Sequence, residues 1–217
     1  LDQPISEKFA KSTRFACFVV FIALTALHIS SCKPVMKKLY GIKNPEVENE
    51  KSIVRKALKF GLDTAGIVTA DHEHFLFVLD KYGIPDGSIY DSNGRYIEYR
   101  STDTSCNAGL FDFIPALTRN GKYNQPDHIS LSEEMAQYRD LRGELLPALP
   151  KADYYLLLYW TVWTGKLNKD HVKIWEEQAK ANQNCHIHVV KVNLDFQEYW
   201  SEADREKIIG KLKKPSK

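Results

Sequence analysis

Cysteine is scarce in this chain, net charge is almost absent and no Cys-x-x-Cys occurs; each shortage closes off a class of function. Four cysteines stand among 217 residues, at positions 17, 32, 106 and 185. Without a Cys-x-x-Cys spacing the pattern supplies no resolving thiol for a mixed disulfide. Lys and Arg number 30 against 28 Asp and Glu, for a net charge of +2. The basic residues are dispersed among acids and form no aromatic-interleaved stripe, which argues against a nucleic-acid partner. Thr164-Gly165-Lys166 lacks the upstream glycine of a phosphate-binding loop, because Trp160 stands in its place. Internal repeats and low-complexity runs are missing as well.

The residues that are present speak first at the N-terminus. Lys8, Lys11 and Arg14 precede Phe15 to Ile29, an apolar stretch of signal-peptide length that is short for a spanning helix. It ends in Ile29-Ser30-Ser31-Cys32, which resembles the ending of a bacterial lipoprotein signal; the resemblance implies cleavage that leaves Cys32 as a lipidated first residue. An uncleaved signal anchor and an ordinary secretory signal are the alternatives, and all three export the remainder of the chain. The expected localisation is therefore the bacterial cell envelope, with the membrane reached through an N-terminal lipid. Residues 1–32 are the expected signal and 33–45 a basic tether. Residues 46–217 are one α/β domain, long enough to bury a sizeable core.

Along that domain a helix is predicted from Glu46 to Phe60, burying Ile53, Ala57 and Phe60, with Val54 and Leu58 beside them and Gly61 placed to end it. Ala65 to Ala70 reads as a short strand and Phe75 to Tyr82 as a helix. Ser88 to Tyr90, the turn Asp91-Ser92-Asn93-Gly94 and Arg95 to Tyr99 read as a hairpin, since an Asn-Gly turn separates two β-prone runs. Ala108 to Leu117 then sets Leu110, Phe111, Ile114 and Leu117 on one helical face. In the segment 118–150, Ser130-Leu131-Ser132-Glu133 is a capping box opening a helix with Met135, Tyr138 and Leu141 on one side. Ser201 is the predicted cap of a last helix.

The densest signal is Tyr154 to Asp195. Tyr154 to Trp160 is an apolar, aromatic run of strand length, typical of a strand buried on both faces. A turn comes next, Asn168 is the predicted N-cap, and Val172, Trp175 and Ala179 recur at helical spacing, leaving Glu176, Glu177 and Lys180 for solvent. His186 to Leu194 is a second strand, giving a parallel βαβ unit with a right-handed crossover.

LLLYWTVWTGKLN, a helix and VVKVNLD together resemble the active-site strand, turn, helix and strand of thioredoxin-like proteins. Trp160 and Trp163 match that family's two tryptophans and Gly165 its glycine. Thr164 and Leu167 stand where its cysteines would be, and Leu158 where many members carry a buried acid. A threonine hydroxyl cannot be ionised by a helix N-terminus at neutral pH, so the resemblance implies a fold and argues against the family's usual activity. Ile84-Pro85 followed by hairpin and helix is similar to the closing half of a thioredoxin domain, which makes Pro85 the candidate cis-proline. That half precedes the βαβ half here, so the resemblance implies a three-layer thioredoxin-like core in permuted order with 118–150 as a helical insertion.

The expected function is then a redox-inactive binding or scaffold module, holding protein or an extended peptide of the envelope at a groove of Trp160, Trp163, Thr164, Lys166 and Pro85. Plain core packing of the tryptophans is the competing reading. A thiol-dependent oxidoreductase using Cys106, Cys185 or both is the enzyme alternative, and a structural disulfide between them the bland one. Cys106 begins a predicted helix, where the macrodipole lowers a thiol pKa. Asp71-His72-Glu73-His74 and His186-x-His188 carry ligand-type residues, but no spacing shows three of them converging, and neither metal nor other cofactor is expected.

Overall fold

The computed structural model describes residues 37–81, 83–100 and 107–212. Its elements are β1 (Val47–Glu48), α1 (Glu50–Phe60), β2 (Ile67–Ala70), α2 (Phe75–Lys81), β3 (Asp86–Asp91), β4 (Tyr96–Ile97), α3 (Leu110–Ala116), α4 (Leu131–Ala136), β5 (Tyr138–Arg139), β6 (Tyr154–Trp160), α5 (Lys173–Ala181), β7 (Ile187–Asn193), β8 (Phe196–Gln197) and α6 (Glu202–Leu212). All lie in the unit that starts at Gly41.

Six strands form one mixed sheet in the order β4-β3-β6-β7-β2-β5. β6, β7 and β2 are parallel; β3 runs antiparallel to β6, and β5 antiparallel to β2. Every residue of β6 is buried, as an uncharged central strand requires. Leu156, Leu158 and Trp160 join a core with Ile53, Leu110, Ile114 and Trp175, from α1, α3 and α5. Tyr155, Leu157 and Tyr159 join the other, with Phe75, Leu131 and Ile208, from α2, α4 and α6. Helices thus cover both faces, and each fully buried aliphatic side chain contributes about 1.5–3 kcal/mol. β7 lies beside β6, and β2 one strand further out.

Local chemistry sets the helix ends. α1 starts later than the periodicity predicts, because Asn49 and Ser52 form a reciprocal capping box and Val47–Glu48 pair instead with β8. Gly61 ends it with φ 78, its N–H turned back to Ala57 and Leu58. Leu58 is 63% exposed, so the buried face is only Ile53, Ala57 and Phe60. The Ser130–Glu133 box opens α4 as expected, but that helix stops at Ala136. Tyr138, expected on its face, sits instead in β5, where Ala70 pairs with it and the Gln137 carbonyl takes the Asp71 N–H at 2.9 Å. The segment 118–150 therefore contributes an edge strand as well as a helix. Two further expectations fail between Asn168 and Ala181. Asn168 is no N-cap but lies buried within a widened π-type turn, Asn168–Val172, ahead of α5. Glu176, predicted for solvent, is 2% exposed and faces Lys191 of β7 at 2.9 Å.

Candidate functional site

The turn that leaves β6 is closed by its own hydroxyls and amides. Thr161 caps it from an extended backbone, accepting the Thr164 N–H at 3.3 Å. Thr164 Oγ1 lies 2.9 Å from the Thr161 carbonyl and 3.2 Å from Asn168 Oδ1, within reach of either for its single proton. Asn168 Nδ2 donates to the carbonyls of Thr161 and Gly165 at 2.8 and 3.1 Å. Gly165 has φ 61 and ψ −123, a conformation open to glycine because it lacks Cβ. Where a thioredoxin-like turn would present a thiol, this one presents a buried, hydrogen-bonded Thr164, 2% exposed.

Of the five residues predicted to line a groove, the structure brings Pro85 to the same end of β6 as the turn. Asp86 pairs with Tyr159, which sets Pro85 beside the end of β6, and the Ile84–Pro85 bond is cis. Yet Pro85 and Thr164 are buried, and Trp160 is 0% exposed, its ring edge-on to Phe60 at 6.4 Å. The predicted groove therefore loses three of its walls to the interior: Trp160 takes the core position that packing alone gives it. Only the half-buried Trp163 and the exposed Lys166 turn outward. The Pro85 carbonyl accepts the Asn107 side-chain amide, and the Trp163 carbonyl accepts Lys43 N–H at 2.9 Å. Next to Pro85, Asp86 takes bonds from Gly87 N–H, Tyr99 hydroxyl and Arg100 at 2.8, 2.8 and 2.6 Å. Burial still pushes that carboxyl above its ordinary range against the pull of Arg100.

One group beneath the turn escapes the sequence reading. Asp195, just past β7, is 1% exposed and accepts Val162 N–H and the Asn193 amide, both at 2.7 Å. Burial first, and then the charge of Glu48, raise its pKa to about 7 despite those bonds. The available signal is a lone acid set directly after an apolar strand, in Val192-Asn193-Leu194-Asp195-Phe196.

The thiols divide between described and undescribed residues: Cys32 and Cys106 lie outside the described residues, which leaves lipidation and the Cys106 thiol beyond the structure's reach. Cys185 is free and 8% exposed, with Sγ 3.4 Å from the Leu117 carbonyl, and burial raises its pKa. Native Cys185 is expected to resist iodoacetamide at pH 7.5 under conditions that label the urea-unfolded chain fully, as read by mass spectrometry. Fast native labelling would place its thiol at the surface.

Among the described residues no three His, Cys, Asp or Glu side chains converge as a metal site. Asp71 is engaged by His74 at 2.7 Å and by Arg139 at 3.0 Å. Segment 118–150 carries an open groove of about 420 Å³ whose apolar walls include Leu131, Met135, Leu145, Leu146 and Leu149. Among the described residues no helix is long and apolar enough to cross a membrane. No family model, curated protein or solved structure matches the chain.

Proposed function

We propose that the protein is a binding or scaffold module of the bacterial cell envelope, built on a thioredoxin-like frame from which dithiol chemistry is absent. Three features support the frame. β4-β3-β6-β7 sets an antiparallel hairpin beside a parallel pair, α3 and α5 share the core on one face of the sheet, and a cis-proline stands at the end of β6. The hairpin half precedes the βαβ half in sequence, which makes the order permuted. The reading as a binder is carried by one observation: the hydroxyl of Thr164 is locked between Thr161 and Asn168, so the turn offers no nucleophile, while Trp163 and Lys166 still face outward. A partner engaged there is protein or extended peptide. Envelope placement rests on the N-terminal sequence pattern ending at Cys32.

Two measurements test this. A photo-crosslinking residue at position 166 is expected to capture a discrete envelope polypeptide in cells, with at least about fivefold less adduct from Trp163→Ala, since an aromatic anchor typically costs more than 1 kcal/mol when truncated. Insulin disulfide reduction is expected at the uncatalysed rate. Turnover that disappears in Cys106→Ser or Cys185→Ser would replace this reading with the thiol oxidoreductase, and crosslinking indifferent to Trp163 would remove the turn from the binding face.

A further inference from the structure

The turn after β6 is gripped from two sides. From the interior, Asp195 holds its backbone through Val162 N–H. From outside, the segment Lys43–Glu48 lies on it. Lys43 N–H donates to the Trp163 carbonyl at 2.9 Å, Glu198 N–H donates to the Glu48 carbonyl at 2.8 Å, and β1 pairs in parallel with β8 over two residues. So short a pairing is weak in itself, and such elements open at a small fraction of the global stability.

Packing gives this weak element a charge problem. Glu48 and Asp195 are both buried, at 7% and 1% exposure; β1 pairs Val47 with Phe196, the residue after Asp195, and the charge of Glu48 acts on the Asp195 carboxyl. The turn brings only Thr161, Val162, Trp163 and Thr164, none of which titrates, and the end of β7 brings Asn193. Arg205 of α6 approaches β8, but its guanidinium donates to the carbonyls of Gln197, Glu198 and Trp200. Asp195 Oδ1 and Gln197 Oε1 make no hydrogen bond of good geometry among the described residues, although the Trp163 N–H also faces the Asp195 carboxyl and favours its charged form. A proton on Asp195 removes one orphan acceptor and one of two like charges; a carboxylate there keeps both costs.

We propose that Glu48 and Asp195 form a proton-operated latch: protonated Asp195 holds Lys43–Glu48 on the turn, and ionisation of Asp195 beside Glu48 lets the segment go. Release uncovers the Trp163 carbonyl and the edge of β8, the strand-pairing groups that the chain itself covers when latched. The latch acts on the turn that carries the proposed binding face but does not rest on that reading, because its test concerns only the chain's own segment.

The sign follows from the proton affinities. Docked, Asp195 titrates at about 7; opened to water it returns toward its ordinary 3.8. The docked form binds the proton more tightly, so docking is strongest in acid, weakens as pH climbs from the ordinary value toward the docked one, and is level above it.

Amide hydrogen exchange on the full chain, corrected for the intrinsic pH dependence, reads this directly. Between pH 5 and pH 8 the protection of Lys43 and Glu198 is expected to fall by roughly ten- to a hundredfold, while amides of β6 hold theirs. Asp195→Asn keeps the segment protected at both values, and Glu48→Gln narrows the fall. Equal protection at pH 5 and pH 8 in the parent, or a fall that survives Asp195→Asn, overturns the latch. Should Asp195→Asn not fold, the ¹³C titration of the Asp195 carboxyl in the parent decides: a midpoint in the ordinary carboxylate range refutes it, and one near neutrality that drops in Glu48→Gln upholds it.

Discussion

Glu176→Leu is expected to destabilise the protein by about 3–5 kcal/mol, among the largest losses available to one substitution here, because it strands a buried ammonium. Lys191 and Glu176 are each 2% exposed and meet at 2.9 Å between β7 and α5. The same carboxylate also takes Asp63 N–H at 3.2 Å and Lys180 at 3.1 Å, and Lys180 reaches on to Asp63 at 2.9 Å. These contacts make the converse change milder. Lys191→Met leaves Glu176 with Lys180, an exposed partner that can follow it, whereas Glu176→Leu leaves Lys191 facing an apolar wall. The double variant Glu176→Leu/Lys191→Met should regain most of the loss, since apolar packing in place of a buried ion pair is often neutral. Urea denaturation of all four species gives the coupling as a double-mutant cycle. A single variant within about 1 kcal/mol of the parent would mean that Lys191 reaches water after all.

That pair marks where sequence reasoning fails and why. Val172, Trp175 and Ala179 announce a helix with one apolar face, and on a single helix Glu176 falls outside that stripe. Its burial depends on Lys191, an apparent break in the apolar run of the next strand, and nothing local joins a carboxylate to an ammonium across two elements. The legible features rest on short-range chemistry: the uncharged run of β6, the Asn93-Gly94 turn of the hairpin, the Ser130–Glu133 box and Gly61 at the end of α1. β1, β5 and β8 are invisible in the sequence, because two-residue strands carry no period and exist only through their partners. The candidate site divides along the same line. Pro85 is found by its position before the hairpin, whereas the burial of Trp160 and Thr164 follows from α1 and from Asn168 closing over the turn. At Leu158, where the resemblance calls for a buried acid, the strand is apolar. Asp195 reaches the turn instead from beyond the neighbouring strand, 33 residues from the Val162 amide it holds.

Glu134→Leu should cost a similar amount, about 3 kcal/mol or more, on the opposite face of the sheet. Glu134, 0% exposed, is the buried charged side chain of α4 that joins the β5–β2 pairing in tying segment 118–150 to the rest of the domain. Its carboxylate accepts Tyr159 hydroxyl at 3.1 Å, Tyr90 hydroxyl at 3.3 Å, Lys81 Nζ at 3.1 Å and the hydroxyl of Tyr138. α2, β3, β5 and β6 thus converge on one side chain of α4, and an apolar leucine takes an acceptor from four buried or half-buried donors at once. Glu134→Gln should lose less, because the amide oxygen still accepts, though Lys81 then lacks its counter-charge. Tyr159→Phe removes one donor and should cost about 1 kcal/mol. Equilibrium denaturation followed by far-ultraviolet circular dichroism orders the three. Hydrogen exchange then separates a local role from a global one. If the carboxylate is the anchor of 118–150, amides of α4 and β5 lose protection in Glu134→Gln before those of β6 do, because the segment can lift away while the central strands remain paired. Uniform loss across all three elements would instead make Glu134 a member of the common core, and the segment an inseparable part of the domain rather than an insertion docked upon it.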